Sequence, residues 1–466
     1  MAGKTDAPAR AGKLSMGTKL GFGAADLGGN LFFTAMGFWS LNYLTDTVAV
    51  PAAAAGIAVM VGKLWDAVTD PMMGFISDRT RSRWGRRRPY LLFGSVPLFL
   101  AMWFFFTNPG ISDPFMVAVW AAFALCLLNT AYTVVNIPYS SLTPELTSDY
   151  HERSSLNGYR FGFAVVGTIL GAVAVLPIAD AFGGDRSKGF SAVGALLGFV
   201  MMASALVTYA SVREPDHSKE PRPTEKFFPT FLAVFRNKPY VIVLLTYALN
   251  LTSLAFVQGI LVYYFKYLYK NEGMTTAAMA ILLLVAMVCI PISVLVSKRI
   301  GKKRTYQFSL LVLAISCLSI FALGHVLGMG FFLGAMVFAG IGLGFGYVAP
   351  WAMVPDAIEV DAIRTGNRKE GAFYGMWTFT SKVGSSLAIF LTGAILSLAK
   401  YAPNMADQAP STILAIRMLV GPVPAAIFIG ALALIEFYPI DEKTYAAALA
   451  SKESGAEGGS ANSPGN

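Results

Sequence analysis

Two carboxylates inside a run of apolar residues constrain this chain more than any other feature. The stretch Gly62–Arg88 begins within an apolar segment that starts near Ala52, yet it carries Asp66 and Asp70. Four residues apart on a helix, they project from one face about one turn apart. Two acids on one face of an apolar helix are costly in hydrocarbon unless a ligand or ion uses them. Just past them come six arginines, Arg79, Arg81, Arg83, Arg86, Arg87 and Arg88, a cluster that holds a helix end on the cytoplasmic side of a membrane.

The rest of the chain fits a membrane setting. Of its 466 residues, 55% are apolar and 14% charged, too hydrophobic for a water-soluble domain of that size. Twelve apolar segments long enough to cross about 30 Å of hydrocarbon can be drawn between residues 20 and 438. With both termini inside, the alternating loops place 27 of the 36 Lys and Arg residues on the cytoplasmic side and 5 outside, an asymmetry that sets the orientation. The net charge of +9 is thereby explained by topology, so no nucleic-acid partner is expected. Cys126, Cys289 and Cys317 lie in apolar runs without metal-ligand spacing and read as small core residues.

An internal repeat divides the chain. The loop Arg83-Trp-Gly-Arg-Arg-Arg88 recurs as Arg299-Ile-Gly-Lys-Lys-Arg304, and Pro144-Glu145 recurs as Pro355-Asp356. Between the two copies lies a polar segment rich in Pro, Lys and Glu. The expected plan is an all-α membrane protein of two pseudo-symmetric six-helix bundles. Its parts are a cytoplasmic tail over 1–19, bundles over 20–212 and 239–440, a cytoplasmic linker over 213–238, and a cytoplasmic tail over 441–466 of disordered composition.

Several motifs taken together resemble one family. They are Trp65-Asp-Ala-Val-Thr-Asp-Pro-Met-Met-Gly74, the arginine loop with its following Pro89, the stretch from Asn136 to Asp149, the segment Pro355–Asp361 and the span around Lys382. Together they resemble the glycoside-pentoside-hexuronide cation symporters of the major facilitator superfamily. The resemblance covers the chain apart from its tails. It implies cation-coupled symport of a sugar, glycoside or sugar acid by alternating access, in the inner membrane, by a monomer without a cofactor.

The resemblance also implies roles for individual residues. Asp66 and Asp70 hold the coupling cation, Na+ or H+, with Thr133 as a hydroxyl ligand; a hard monovalent cation needs several oxygens, which such a pair supplies together with charge. Asp26 binds substrate hydroxyls, with Arg160 and Lys382 as basic partners and Asn136 nearby. Four departures from the family pattern bear on selectivity. Thr69 stands in place of Asn, leaving Na+ against H+ open, while Ala25 replaces Lys, Asn136 replaces Asp and Ser140 replaces Trp. Tyr347 and Trp377 are candidates for the lost aromatic platform. Asp78, Arg79 and Arg83 form a candidate gate, and Glu145, Asp149, Arg153, Asp356, Glu359, Asp361, Arg364 and Arg368 offer partners on the same face.

Two other functions compete with this reading. A Na+-coupled carrier of a lysolipid or other amphiphile on the same fold remains open, because the substituted positions are sugar contacts. An integral membrane enzyme is not expected, since His151, His217 and His325 are scattered and no nucleophile–base pair or metal set converges.

Overall fold

The computed structural model describes residues 14–146, 150–214, 234–365 and 370–440, except 404 and 406, together with residue 444. The described chain is helical. Hydrocarbon offers no hydrogen-bond partner to a peptide group, so segments that cross it close their own backbone bonds as helices.

Among the described residues, ten helices are long and apolar enough to cross a membrane. One of them, Lys302–Thr365, is two helices that meet at Gly328, whose φ of 76° and ψ of −167° break the helical run. A further helix, Met16–Asn42, has 27 residues and polar content that lowers its mean hydropathy. Among the described residues, dividing that run at Gly328 and adding Met16–Asn42 gives twelve long helices. We label them α1 (Met16–Asn42), α2 (Ala52–Arg79), α3 (Arg88–Phe105), α4 (Pro114–Ser140), α5 (Tyr150–Val173), α6 (Arg186–Ser211), α7 (Lys238–Tyr267) and α8 (Met274–Ile300). Then come α9 (302–327), α10 (329–365), α11 (Glu370–Leu398) and α12, which is Pro410–Val420 and Pro422–Glu436 on either side of Gly421.

The repeat seen in the sequence reappears in the backbone. Gly85 and Gly301 occupy equivalent places in the two copies of the basic loop, and both take positive φ, +97° and +88°, a conformation that glycine reaches without a steric penalty.

Packing divides the chain into two compact units. The first gathers Met1–Thr224 with Gln258–Ala280 and Ile389–Ile416; the second gathers Glu225–Val257, Ile281–Ala388 and Arg417–Asn466. In the first unit α1 packs against α5 and α6, α2 against α4, and α3 against α4 and α6. Glycine allows the α1–α5 contact to run backbone to backbone. A Cβ at Gly167 would lie 2.1 Å from the Leu27 carbonyl oxygen, and one at Gly171 would lie 2.5 Å from that of Leu31, so these two small residues one turn apart fix how α5 seats on α1. Within the second unit, Asn237 donates to the Ala357 carbonyl at 2.8 Å, Lys302 pairs with Asp356 at 2.6 Å, and the Tyr240 hydroxyl donates to the Phe373 carbonyl at 2.5 Å.

Candidate substrate and cation site

The α2–α4 contact builds the first part of the site. Gly62 lets the helices close, since a Cβ there would meet the Leu125 side chain at 2.8 Å. One turn on, the Trp65 indole N–H donates to Thr130 Oγ1 at 2.8 Å. That register brings Thr133 against both acids: its hydroxyl lies 2.8 Å from Asp66 Oδ1 and 2.9 Å from Asp70 Oδ1. Asp66 is buried at 4% exposure. A threonine hydroxyl has one proton to donate, so it can satisfy one of these carboxylate oxygens as a donor at any moment.

The α1–α5 contact builds the second part. With Gly167 and Gly171 seated on α1, Arg160 near the other end of α5 faces Asp26. Its Nε donates to Asp26 Oδ2 at 2.6 Å and a terminal nitrogen donates to Oδ1 at 3.3 Å. The same Oδ2 accepts the Tyr139 hydroxyl at 2.5 Å, and another Arg160 nitrogen donates to Thr143 Oγ1 at 3.2 Å. The guanidinium also lies over the Tyr139 ring at 5.0 Å. This two-point, charge-assisted pairing fixes the plane of the carboxylate, and the long contact at Oδ1 leaves that oxygen able to accept a further donor. Asn136 lies on α4 between Thr133 and Tyr139 in sequence, its Oδ1 3.6 Å from where a Gly29 Cβ would be.

The structure thus brings together Asp66, Asp70 and Thr133, and separately Asp26 and Arg160. Tyr347, Trp377 and Lys382 belong to the second unit. Trp377 is buried, stacked on Tyr247 with ring centroids 4.2 Å apart and edge-on to Trp351; Tyr347 is exposed at 45%; Lys382 lies on α11. Tyr139 was not singled out from sequence, because an aromatic residue in an apolar helix reads as packing.

At the arginine-rich loop the acid of the candidate gate has a different partner from those its neighbours in sequence suggest. Asp78 pairs with Arg87 at 2.9 Å, while Arg79 lies over the Phe75 ring and Arg83 over that of Trp84. Glu214 completes the arrangement by accepting the backbone N–H groups of Arg87 and Arg88 at 2.9 and 3.1 Å, which caps α3 with a carboxylate where the helix dipole favours one. Asp149 and Arg368 lie outside the described residues, as do the side chains of Glu145, Arg153, Asp361 and Arg364.

The profile of the MFS/sugar transport protein family matches residues 21–442. The chain belongs to that family. Among relatives of this sugar-transport protein is an uncharacterized symporter, YnaJ of Bacillus subtilis, 30% identical over 93% of this chain and 94% of its own. A putative sulfoquinovose importer of Salmonella typhimurium is also 30% identical, over 93% of this chain and 92% of its own. In solved structures the chain is similar to a variant of the nucleoside transporter NupG, with a TM-score of 0.65 and 14% identity, covering 90% of this chain and 99% of that one. That likeness concerns the fold alone. The protein is therefore a multi-pass membrane transporter of the major facilitator type, with small polar solutes as the class its family handles.

Proposed function

We propose that this transporter carries a sugar, glycoside or sugar acid in symport with Na+ or H+ by alternating access, as an inner-membrane protein with both termini in the cytoplasm. One observation carries the coupling: the Thr133 hydroxyl touches a carboxylate oxygen of both Asp66 and Asp70 while having a single proton to give. Three oxygens from two helices, two of them on acids, suit a hard monovalent cation, and the same arrangement suits a shared proton.

The substrate side draws on Asp26, Arg160 and Asn136 of the first unit. Asp26 is held by Arg160 and Tyr139 with one oxygen loosely engaged, so it can accept a substrate hydroxyl without first reorganising. Coupling follows if the cation and solute each bind better when the other is present, so that the empty and the doubly loaded carriers are the forms that cross.

The test is flux in proteoliposomes. Labelled sugars, uronic acids and lysolipids are offered under an inward Na+ gradient, then under a pH gradient. Uphill uptake of one of the first two classes that is lost in Asp66→Asn and Asp70→Asn, with solute counterflow retained, is the expected result. Uphill uptake unchanged in both variants refutes the cation assignment, and accumulation of lysolipid alone refutes the solute class.

A further inference from the structure

Far from the acid pair, at the end of the helices opposite the arginine-rich loop, the first unit holds a second buried acid that the transport site does not use. α1 does not stop cleanly but runs into a π-helical turn, Tyr43–Thr47, a widened backbone that is frequent at functional positions. Asp46 sits on that turn with its side chain 0% exposed. Its Oδ2 accepts from the Lys266 ammonium at 2.5 Å and from Asn42 at 3.2 Å, and its Oδ1 from the Tyr401 hydroxyl at 2.5 Å and from Thr45 at 2.8 Å. The donors therefore come from three separate places in the chain: the turn itself, the end of α7 and the loop after α11. Thr45 also meets the Tyr263 hydroxyl at 2.7 Å, and Tyr401 meets Tyr267 at 2.9 Å. Nearby, Arg186 at the start of α6 reaches Glu272 just beyond α7 at 2.7 Å.

Two independent observations show that this junction is built for close contact under strain. Among the described residues, the non-glycine positions with positive φ are Ala49, Lys270 and Lys400, at 63°, 51° and 65°. One lies just past Asp46, one just past Lys266 and one beside Tyr401. Such conformations cost of order 1–3 kcal/mol each and gather where the surrounding contacts hold a switchable segment in place. Beneath them α2 meets α11 without side chains between, since a Cβ at Gly393 would lie 2.3 Å from the Ala52 carbonyl oxygen and one at Gly56 3.2 Å from the Gly393 Cα.

We infer that Asp46 is a positioning residue of the transport cycle, the anchor of a latch with Lys266 and Tyr401 that seals this end of the carrier and must break and re-form at each turnover. Lys266 and Tyr401 lie in the segments 258–280 and 389–416, which share the first unit with Asp46. A passage open at this end requires those segments to leave, which a buried ion pair permits because its Coulombic gain and desolvation cost nearly cancel. Burial, followed by Tyr263 and Asp46, holds the Tyr401 hydroxyl well above its ordinary pKa, so it serves as a donor throughout the working range of pH. The inference rests on the alternating-access reading, but its test needs neither solute nor coupling cation.

Gln258 provides the reporter, because its side-chain oxygen packs 2.9 Å from where a Gly37 Cβ would be. A Gln258→Cys chain in right-side-out vesicles is treated with a membrane-impermeant maleimide, and labelling is read against the chain without that substitution. Adding Asp46→Asn should raise the labelling rate about tenfold, since one partner of a buried pair is left unmatched. Tyr401→Phe removes a donor without removing charge and should raise it by less; it also serves if Asp46→Asn fails to assemble. Cys317, buried in the second unit, is the control for general unfolding. Unchanged reporter labelling in the assembled variants overturns the latch, as does labelling that rises only in step with Cys317.

Discussion

Replacing Thr133 by valine tests the cation site with the least change of shape. The substitution keeps the branching and removes the hydroxyl that lies 2.8 Å from Asp66 and 2.9 Å from Asp70. With one proton the hydroxyl makes one donor bond at a time, and a hydrogen bond to a charged group is worth about 1.5–3 kcal/mol. On the proposed reading it would also supply a neutral oxygen ligand to a cation between the acids. At about 1.4 kcal/mol per decade, apparent cation affinity should fall about ten- to hundredfold. Solute affinity at saturating cation should be kept, because Asp26, Arg160 and Tyr139 are untouched. Titration of purified protein with Na+ at several pH values gives the numbers, and Trp65, bonded to Thr130 beside Asp66, offers an intrinsic fluorescence signal. Thr133→Ser should stay close to the parent. A Val variant whose cation affinity moves less than about twofold while Asp66→Asn abolishes binding would show that the hydroxyl is packing and no ligand.

Other expectations follow from the same geometry. Gly171→Leu would drive a side chain into the Leu31 carbonyl, whose oxygen lies 2.5 Å from the ideal Cβ, and should lower stability by about 1–3 kcal/mol or more in a detergent thermal melt. Gly162→Ala on the same helix, with nothing within 4 Å, should be close to neutral. Asp78→Asn and Arg87→Gln should each slow turnover more than they weaken binding, and the double variant should be no slower than either single one, because both remove the same 2.9 Å pair; full additivity would separate them. Lys270→Ala should leave stability and transport unchanged. Its bond to Asp407 holds that carboxyl below its ordinary range, yet both side chains face solvent, where such a pair is screened.

How much of this could be read from the sequence depends on whether a residue's meaning is local. Asp66 and Asp70 were legible because an i, i+4 acid pair in an apolar run is anomalous on its own terms, whatever the fold. The Asp26–Arg160 pairing was legible for a similar reason: both are charges inside spans. Asp46 was not, since a carboxylate at the end of an apolar helix is unremarkable and its partners stand 220 and 355 residues away. Six arginines crowded into ten residues gave no local basis for choosing among them, and the choice of Arg87 over Arg79 and Arg83 is made by a turn at Gly85 and by Glu214, distant in sequence. The two spans that the sequence separates near Gly328 form one long helical run, Lys302–Thr365, in which the dihedral angles of Gly328 mark the join.

On the proposed roles, the two acids of the first helical run also suggest a route by which events at the solute site would reach the latch. Asp26 and Asp46 are about 30 Å apart along α1 at 1.5 Å per residue. Beyond Asp26 the helix is pressed against the α5 backbone at Leu27 and Leu31, and its one irregular turn is the one carrying Asp46. A helix seated in that way moves as a body with α5, so a tilt needed at one acid is delivered at the other. A ligand biases such a movement only through contacts that differ between the two arrangements. The Asp26 site has them, because its donors Tyr139 and Arg160 stand on α4 and α5 and converge on a carboxylate of α1. The latch has them too, because Lys266 and Tyr401 come from α7 and from beyond α11. On this reading, coupling between the sites needs no relay of side chains through the interior; a stiff helix carrying half-buried Asp26 and buried Asp46 is enough.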